Sequence, residues 1–319
     1  MNVPGWLRQY PHAILSSGGA CAMVMLPDAR GGFYRASRFE WSGMVARVAC
    51  GRHEYFGPWR IPHDPRCYEH GIGTAEEFGL ECTPPGFRQA DVNDTFLKIG
   101  VGLLRKTPMH QREYPEDNGE YSFRESYPLA GRPTWEVATG QEWVSFEQQA
   151  SSGRGHAYSY RKQVELSCGG ACELRISRVL RNIGAERLQT RHYGHNFISI
   201  DDAMVGPCYR VELPFTAQVA EIGGGAAVRG RRVEFACLMP PRVPAWARLT
   251  GFDRGDARHN QARVSNTRTG GWVSVATDVA PCMYNFFAER TAVCPEGFVQ
   301  IDLPPGREMN WNTVYTFGD

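Results

Sequence analysis

Apolar residues in this chain recur in short stretches separated by Gly, Pro, Asn or Asp. Residues 43–50, 142–148, 163–166, 174–180, 197–200, 209–213, 218–222, 233–238, 271–276 and 298–303 read as strands, rich in β-branched and aromatic side chains and bounded by turn formers. Residues 228–233 read as a hairpin with Gly230 in its turn. Residues 173–182 form a longer stretch alternating apolar and polar positions, the pattern of a strand with one face buried. No segment of about 15 residues carries a 3.6-residue apolar stripe with caps, so helices are not expected. The pattern is all-β, best satisfied by two large antiparallel sheets packed face to face. Internal repeats and low-complexity linkers are absent, and residues 1–319 are read as one domain. Residues 107–126, with Pro108, Pro115, Asp117, Asn118 and Gly119, read as a long surface loop, either lining a cleft or making an ordinary excursion.

The segment most suggestive of chemistry is 187–201, where His192 and His195 lie three apart in what reads as a strand, with Tyr193, Asn196 and Asp201 close by. Histidine is the side chain best suited to moving protons near neutral pH. In a regular strand these two point to opposite faces. Either a bulge at Gly194 brings them together or only one faces a site.

Composition narrows the class. The net charge is +1, with 35 basic and 34 acidic residues and no basic block, which argues against a nucleic-acid partner. No apolar run approaches the ~18 residues of a membrane span. Residues 1–20 lack a clean apolar core for a signal peptide, so a cytoplasmic location is expected, or a periplasmic one if a leader has been removed. The ten cysteines are scattered except for Cys168 and Cys172, at a hairpin turn, where turn thiols, a local disulfide and a metal are the alternatives. No dinucleotide or P-loop signature is present. Gly71 and Gly73 lack the pattern and the following helix that a phosphate loop requires.

Towards the C-terminus, Phe286-Phe-Ala-Glu289-Arg290-Thr precedes Cys294-Pro-Glu-Gly-Phe-Val-Gln-Ile-Asp-Leu-Pro-Pro305-Gly306 and then Trp311-Asn-Thr-Val-Tyr315-Thr-Phe317. Together with Leu180-Arg-Asn182-Ile-Gly184 leading into His192-Tyr193, this order resembles the aldose 1-epimerases (galactose mutarotases) and their superfamily. Residues 32–43 and 71–79 resemble a divergent branch of that superfamily. The resemblance implies an antiparallel β-supersandwich with a carbohydrate site on its concave face. It also implies a histidine that protonates the ring oxygen, at His192, and a carboxylate that removes the anomeric proton, at Glu289. The family's second histidine, in a Leu-His-Gly-Gly-like motif, is missing; the nearest equivalent is Phe96-Leu-Lys98-Ile-Gly100-Val-Gly102.

The candidate catalytic residues are therefore His192, His195 and Glu289; the alternative for each is a structural hydrogen-bond or ion-pair network. Candidate substrate contacts are Arg38, His70, Glu77, Lys98 and Tyr193. Glu76 and Glu77 are consecutive, so at most one faces a common site. Arg35 and Arg38 either hold an acidic sugar or form surface ion pairs. Trp59, with Tyr55 and Phe56, either stacks on a sugar ring or packs in the core. His70, Glu77, His192 and His195 have the chemistry to bind a divalent ion, although no spacing enforces it. The leading expectation is an aldose 1-epimerase-like enzyme acting on a small-molecule carbohydrate without a cofactor. The alternatives are a sugar lyase working by β-elimination, with an arginine, Lys98 or a metal stabilising the enolate, and a non-catalytic carbohydrate-binding module. The oligomeric state is open.

Overall fold

The computed structural model describes residues 1–111, 120–219 and 222–319. Among them, only single turns of 3-10 helix interrupt an all-β architecture. The largest sheet has ten strands. In spatial order they are Ala226–Arg229, Arg232–Phe235, Tyr209–Glu212, Gln261–Asn266, Trp272–Thr277, Glu308–Gly318, Cys172–Asn182, Ala157–Cys168, Trp143–Ser151 and Glu136–Thr139, every neighbouring pair antiparallel. A five-stranded antiparallel sheet packs against it, in the order Ala245–Leu249, Met283–Glu289, Ala292–Leu303, Leu188–Asn196, Thr74–Phe78. A four-stranded N-terminal sheet runs from His12 to Tyr55, and Thr95–Lys98 pairs with Gly102–Arg105 in a hairpin. No described helix is long and apolar enough to cross a membrane.

Strict alternation builds the interface between the two large sheets. Cys172, Leu174, Ile176, Arg178, Leu180 and Asn182 are buried along one strand, while the residues between them face outward. On the neighbouring strand Tyr158, Tyr160, Lys162, Val164 and Leu166 do the same, in register with them. Each buried Leu or Ile contributes about 1.5–3 kcal/mol. Two of these inward positions hold Lys162 and Arg178, directly opposite each other. Like charges facing across a ladder repel, so an anion has to lie between them. Thr74–Phe78 supplies it as Glu76.

The 228–233 hairpin forms as expected, with Gly230 at φ +61°. The 168–172 hairpin forms too, and Cys168 and Cys172 are cross-strand partners with free thiols, as are all the cysteines. Residues 197–200 are not a ladder strand. The Ile198 N–H turns back onto the Asn196 carbonyl, leaving only isolated bridges at Ile198 and Ile200. Residues 218–222 make one bridge, at Gln218. Ala220 and Glu221 lie outside the described residues, as do residues 112–119 of the expected 107–126 loop. Gly73, with φ +53°, admits no side chain because a Cβ there would sit 1.7 Å from the Val45 carbonyl oxygen. That contact, rather than phosphate binding, accounts for the glycine-rich approach to Glu76 and Glu77.

Candidate active site

The strand Leu188–Asn196 decides which histidine meets solvent. Its ladder with Thr74–Phe78 runs without a break, His192 opposite Phe78, Tyr193 opposite Glu77, Gly194 opposite Glu76 and His195 opposite Ala75. No bulge exists at Gly194, so the two histidines face opposite ways.

His192 faces inward, between the two sheets. Trp311 Nε1–H donates to its Nδ1 at 3.2 Å, and indole is only a donor. The ring proton is therefore on Nε2, which donates to Glu76 Oε2 at 3.2 Å. Glu76 also accepts from Arg178 through Nε (2.8 Å) and Nη2, and from Lys162 at 3.1 Å. Burial alone would raise the Glu76 carboxyl, but Arg178 and Lys162 hold it well below the usual range. Burial lowers His192 to about 4. Glu40, on the same network, is pushed up to about 7 by burial, in spite of Lys162. Glu40, Glu76 and His192 offer ligand atoms within 4.8 Å of one another. Lys162 and Arg178 already supply the positive charge there, so the trio is a charge network rather than a cation cage. The envisaged ion site of His70, Glu77, His192 and His195 is not assembled. His192 is on the wrong face, and His70 Nδ1 is taken by the Asp64 N–H at 2.7 Å.

The outer face of the five-stranded sheet carries a different set. Tyr193 and His195 stand beside Glu77 on one side, and beside Phe298 and Glu296 on the other. Glu77 is completely buried and accepts from Arg38 Nε at 2.9 Å, Lys98 at 3.1 Å and the Tyr193 hydroxyl at 2.7 Å. Burial would raise its pKa, but Lys98 and Arg38 keep it below the usual range. Lys98 also reaches the Tyr121 hydroxyl at 3.0 Å, and Arg38 reaches that of Tyr193 at 3.2 Å. Of this group only Arg38 borders open space; Glu77, Lys98 and Tyr193 form the layer beneath it.

That open space is a cavity of about 500 Å³ over the sheet. His195 and Glu296 line it, with Trp59 and Phe287 as aromatic walls. The His195 ring lies 5.2 Å from each of these rings, and 4.3 Å from Phe197 in a stacked arrangement. Its Nδ1 is 3.2 Å from Glu296 Oε1, but the two are not aligned for a hydrogen bond. Burial lowers His195 well below its usual value and raises Glu296 well above the usual carboxylate range. Burial thus disfavours the charged form of both groups, imidazolium and carboxylate alike.

Four buried polar atoms on this wall lack a hydrogen-bond partner: Trp59 Nε1, His195 Nδ1, Asn285 Nδ2 and Glu296 Oε1. Native proteins rarely leave such atoms unsatisfied, and these four belong to residues that line one cavity. A larger hollow of about 680 Å³ adjoins the cavity through Leu80, Glu81 and Phe123, but holds no comparable acid–base pair.

Glu289 lines the same cavity. It is held by Arg60 in a two-pronged ion pair, through Nη1 and, at 2.8 Å, Nη2. The carboxylate beside the outward histidine is instead Glu296, which the sequence reading passed over. Its signal was present: Glu296 sits two residues from Cys294 and two from Phe298, in the buried, apolar first part of its strand. Trp59 is a cavity wall, whereas Tyr55 and Phe56 pack in the core against Phe317. Arg35 is tied to the Arg30 carbonyl, away from the cavity.

The sequence matches no family model and no curated protein. Solved structures do match along nearly the whole chain. A galactose mutarotase-like protein from Clostridium acetobutylicum superposes with TM-score 0.57 at 12% identity, covering 96% of this chain and 94% of that one. The GalM/aldose epimerase homologue from C. elegans gives 0.54 at 14%, covering 96% and 98%. A galactose mutarotase related enzyme from Lactobacillus acidophilus gives 0.53 at 11%, covering 97% of each. At these identities it is the fold that is shared, and this chain has the galactose mutarotase-like β-sandwich fold.

Proposed function

We propose that the protein is a carbohydrate-active enzyme that interconverts the anomers of a small sugar, with His195 and Glu296 as its acid–base pair. The observation that carries this reading is the convergence of four unpartnered polar atoms, two of them on that pair, in one aromatic-walled cavity. A pyranose has the matching chemistry, with hydroxyls for the polar atoms and C–H faces for Trp59 and Phe287.

The pair needs one proton in total. With that proton on Glu296, the carboxyl donates to the ring oxygen while His195 takes the proton of the anomeric hydroxyl. The C1–O5 bond breaks and C1 becomes an aldehyde carbon. Rotation about C1–C2 exposes the other carbonyl face, and reversing both transfers closes the ring as the opposite anomer. The protons return to their starting groups, so no cofactor is consumed.

β-Elimination on the same scaffold would need a cation free to stabilise an enolate. Arg38 and Lys98, the buried candidates, are both engaged by Glu77, and Arg242 on the same cavity is exposed to solvent, which weakens that reading. The test follows optical rotation or exchange NMR of freshly dissolved single anomers, and in parallel ultraviolet absorbance for an unsaturated product. Accelerated anomer exchange that is lost in His195→Ala supports the epimerase. Growth of absorbance transfers the site to a lyase. Saturable sugar binding with neither signal makes it a binding module.

A further inference from the structure

We infer that the cavity selects sugars carrying an anionic substituent, a carboxylate or a phosphate, through Arg242 at its mouth. The inference rests on the sugar reading of the site and adds a substrate class to it.

The ionic groups around the cavity are nearly all spoken for. Arg38 is held by Glu77, and Arg60 by Glu289 and Glu69. Glu81, also in the lining, is held by Arg248. Burial disfavours the charged form of Glu296. What remains is positive. Arg242 lines the cavity, is exposed, and has no ion pair or hydrogen bond among the described residues.

The backbone at Arg242 points the same way. Its φ is +59°, a left-handed conformation that disfavours a long side chain and is normally left to Gly or Asn. The segment is Pro240-Pro241-Arg242-Val243-Pro244. Pro241 fixes its own φ, and Pro244 confines Val243 to extended backbone, so the turn presenting Arg242 is stiff. Strain of about 1–3 kcal/mol held by such a frame is typical of ligand clamps. Trp246, half exposed, also lines this cavity and offers an apolar ledge beside the charge. An arginine fork binds a carboxylate or phosphate through two parallel hydrogen bonds.

Titration calorimetry with glucose, glucuronate and glucose 6-phosphate, and with the galactose series, tests this on the full-length protein. We expect at least one acidic sugar to bind about tenfold or more tightly than its neutral parent, the advantage shrinking as salt is raised. Arg242→Gln should close most of that gap, and Arg242→Lys should keep part of it. The uronate and phosphate arms identify which anion is taken. Neutral and acidic sugars binding alike, or a preference that survives Arg242→Gln, overturns this inference and leaves the sugar site standing. Failure of every sugar to bind overturns both. Equal urea midpoints for wild type and both variants exclude misfolding as the cause of any change.

Discussion

Glu76 and Glu77 are neighbours in sequence and belong to separate charge networks on opposite faces of one strand. Glu76 answers Arg178, Lys162 and His192 between the sheets, and Glu77 answers Arg38, Lys98 and Tyr193 beneath the cavity. Each carboxylate is the counter-charge for two buried cations. Removing one member of a buried pair leaves an uncompensated charge and costs about 3–5 kcal/mol. Glu76→Gln should therefore lower unfolding free energy in urea by that order. A loss below about 1 kcal/mol would mean that Arg178 and Lys162 find other partners.

Glu289 and Glu296 both line the cavity but should differ sharply in kinetics. Glu296→Gln and His195→Ala should each reduce turnover by about 10²-fold or more, the scale for losing a general acid or base. Glu289→Gln, which leaves Arg60 with Glu69, should cost less than about tenfold. The reverse ranking in steady-state rates would move the carboxylate role to Glu289.

The pH profile follows from the same burial. His195 is lowered well below its usual value and Glu296 raised well above its own. Protonating the base requires acid well beyond pH 6.5, and ionising the acid requires pH far above the ordinary carboxylate range. Plots of kcat/KM against pH should be flat across 6.5, with the acid limb displaced downward. A break at about 6.5, the ordinary histidine value, would show that the titrating group is a solvated histidine elsewhere.

Stability should carry a mark of His192. Its folded value of about 4 lies below the unfolded value of about 6.5. Above pH 6.5 neither state is protonated at this position. As pH falls towards 4, only the unfolded state gains the proton, so stability drops by about 3 kcal/mol across that window. Glu40, raised to about 7, works in the opposite sense over an overlapping range and masks the effect in the wild type alone. The difference in unfolding free energy between wild type and His192→Gln isolates it: that difference should widen in the wild type's favour from pH 4 to 6.5 and be constant above. A difference independent of pH would mean that His192 is solvated.

The sheet architecture was legible in the sequence because burial on one face writes itself as alternation. Residues 174–180, 209–213 and 233–238 lie on observed strands within a residue or a few of their bounds. Thr95–Lys98 and Gln261–Asn266 were missed, one too short and the other interrupted by polar residues at outward positions. The opposed histidines also followed from strand geometry, and only the absence of a bulge had to be seen. Glu296 was not found because its partner, His195, lies about a hundred residues away and meets it only across the ladder. Arg178 carried a readable sign: it occupies an inward position of an amphipathic strand, where a charge demands an opposite charge from the facing sheet.

The unbroken ladder through Gly194 also sets how this protein tolerates change in length. One strand supplies a structural histidine to one side and a cavity histidine to the other, and the side is decided only by odd or even position. A single residue inserted or deleted between Thr190 and His192 would exchange the two roles, turning one imidazole away from Glu76 and the other away from Glu296, and one between His192 and His195 would turn both to the same side. Losses and gains of pairs of residues would preserve the parity. Homologous chains should therefore vary in this stretch by substitution, with length fixed or changed in steps of two.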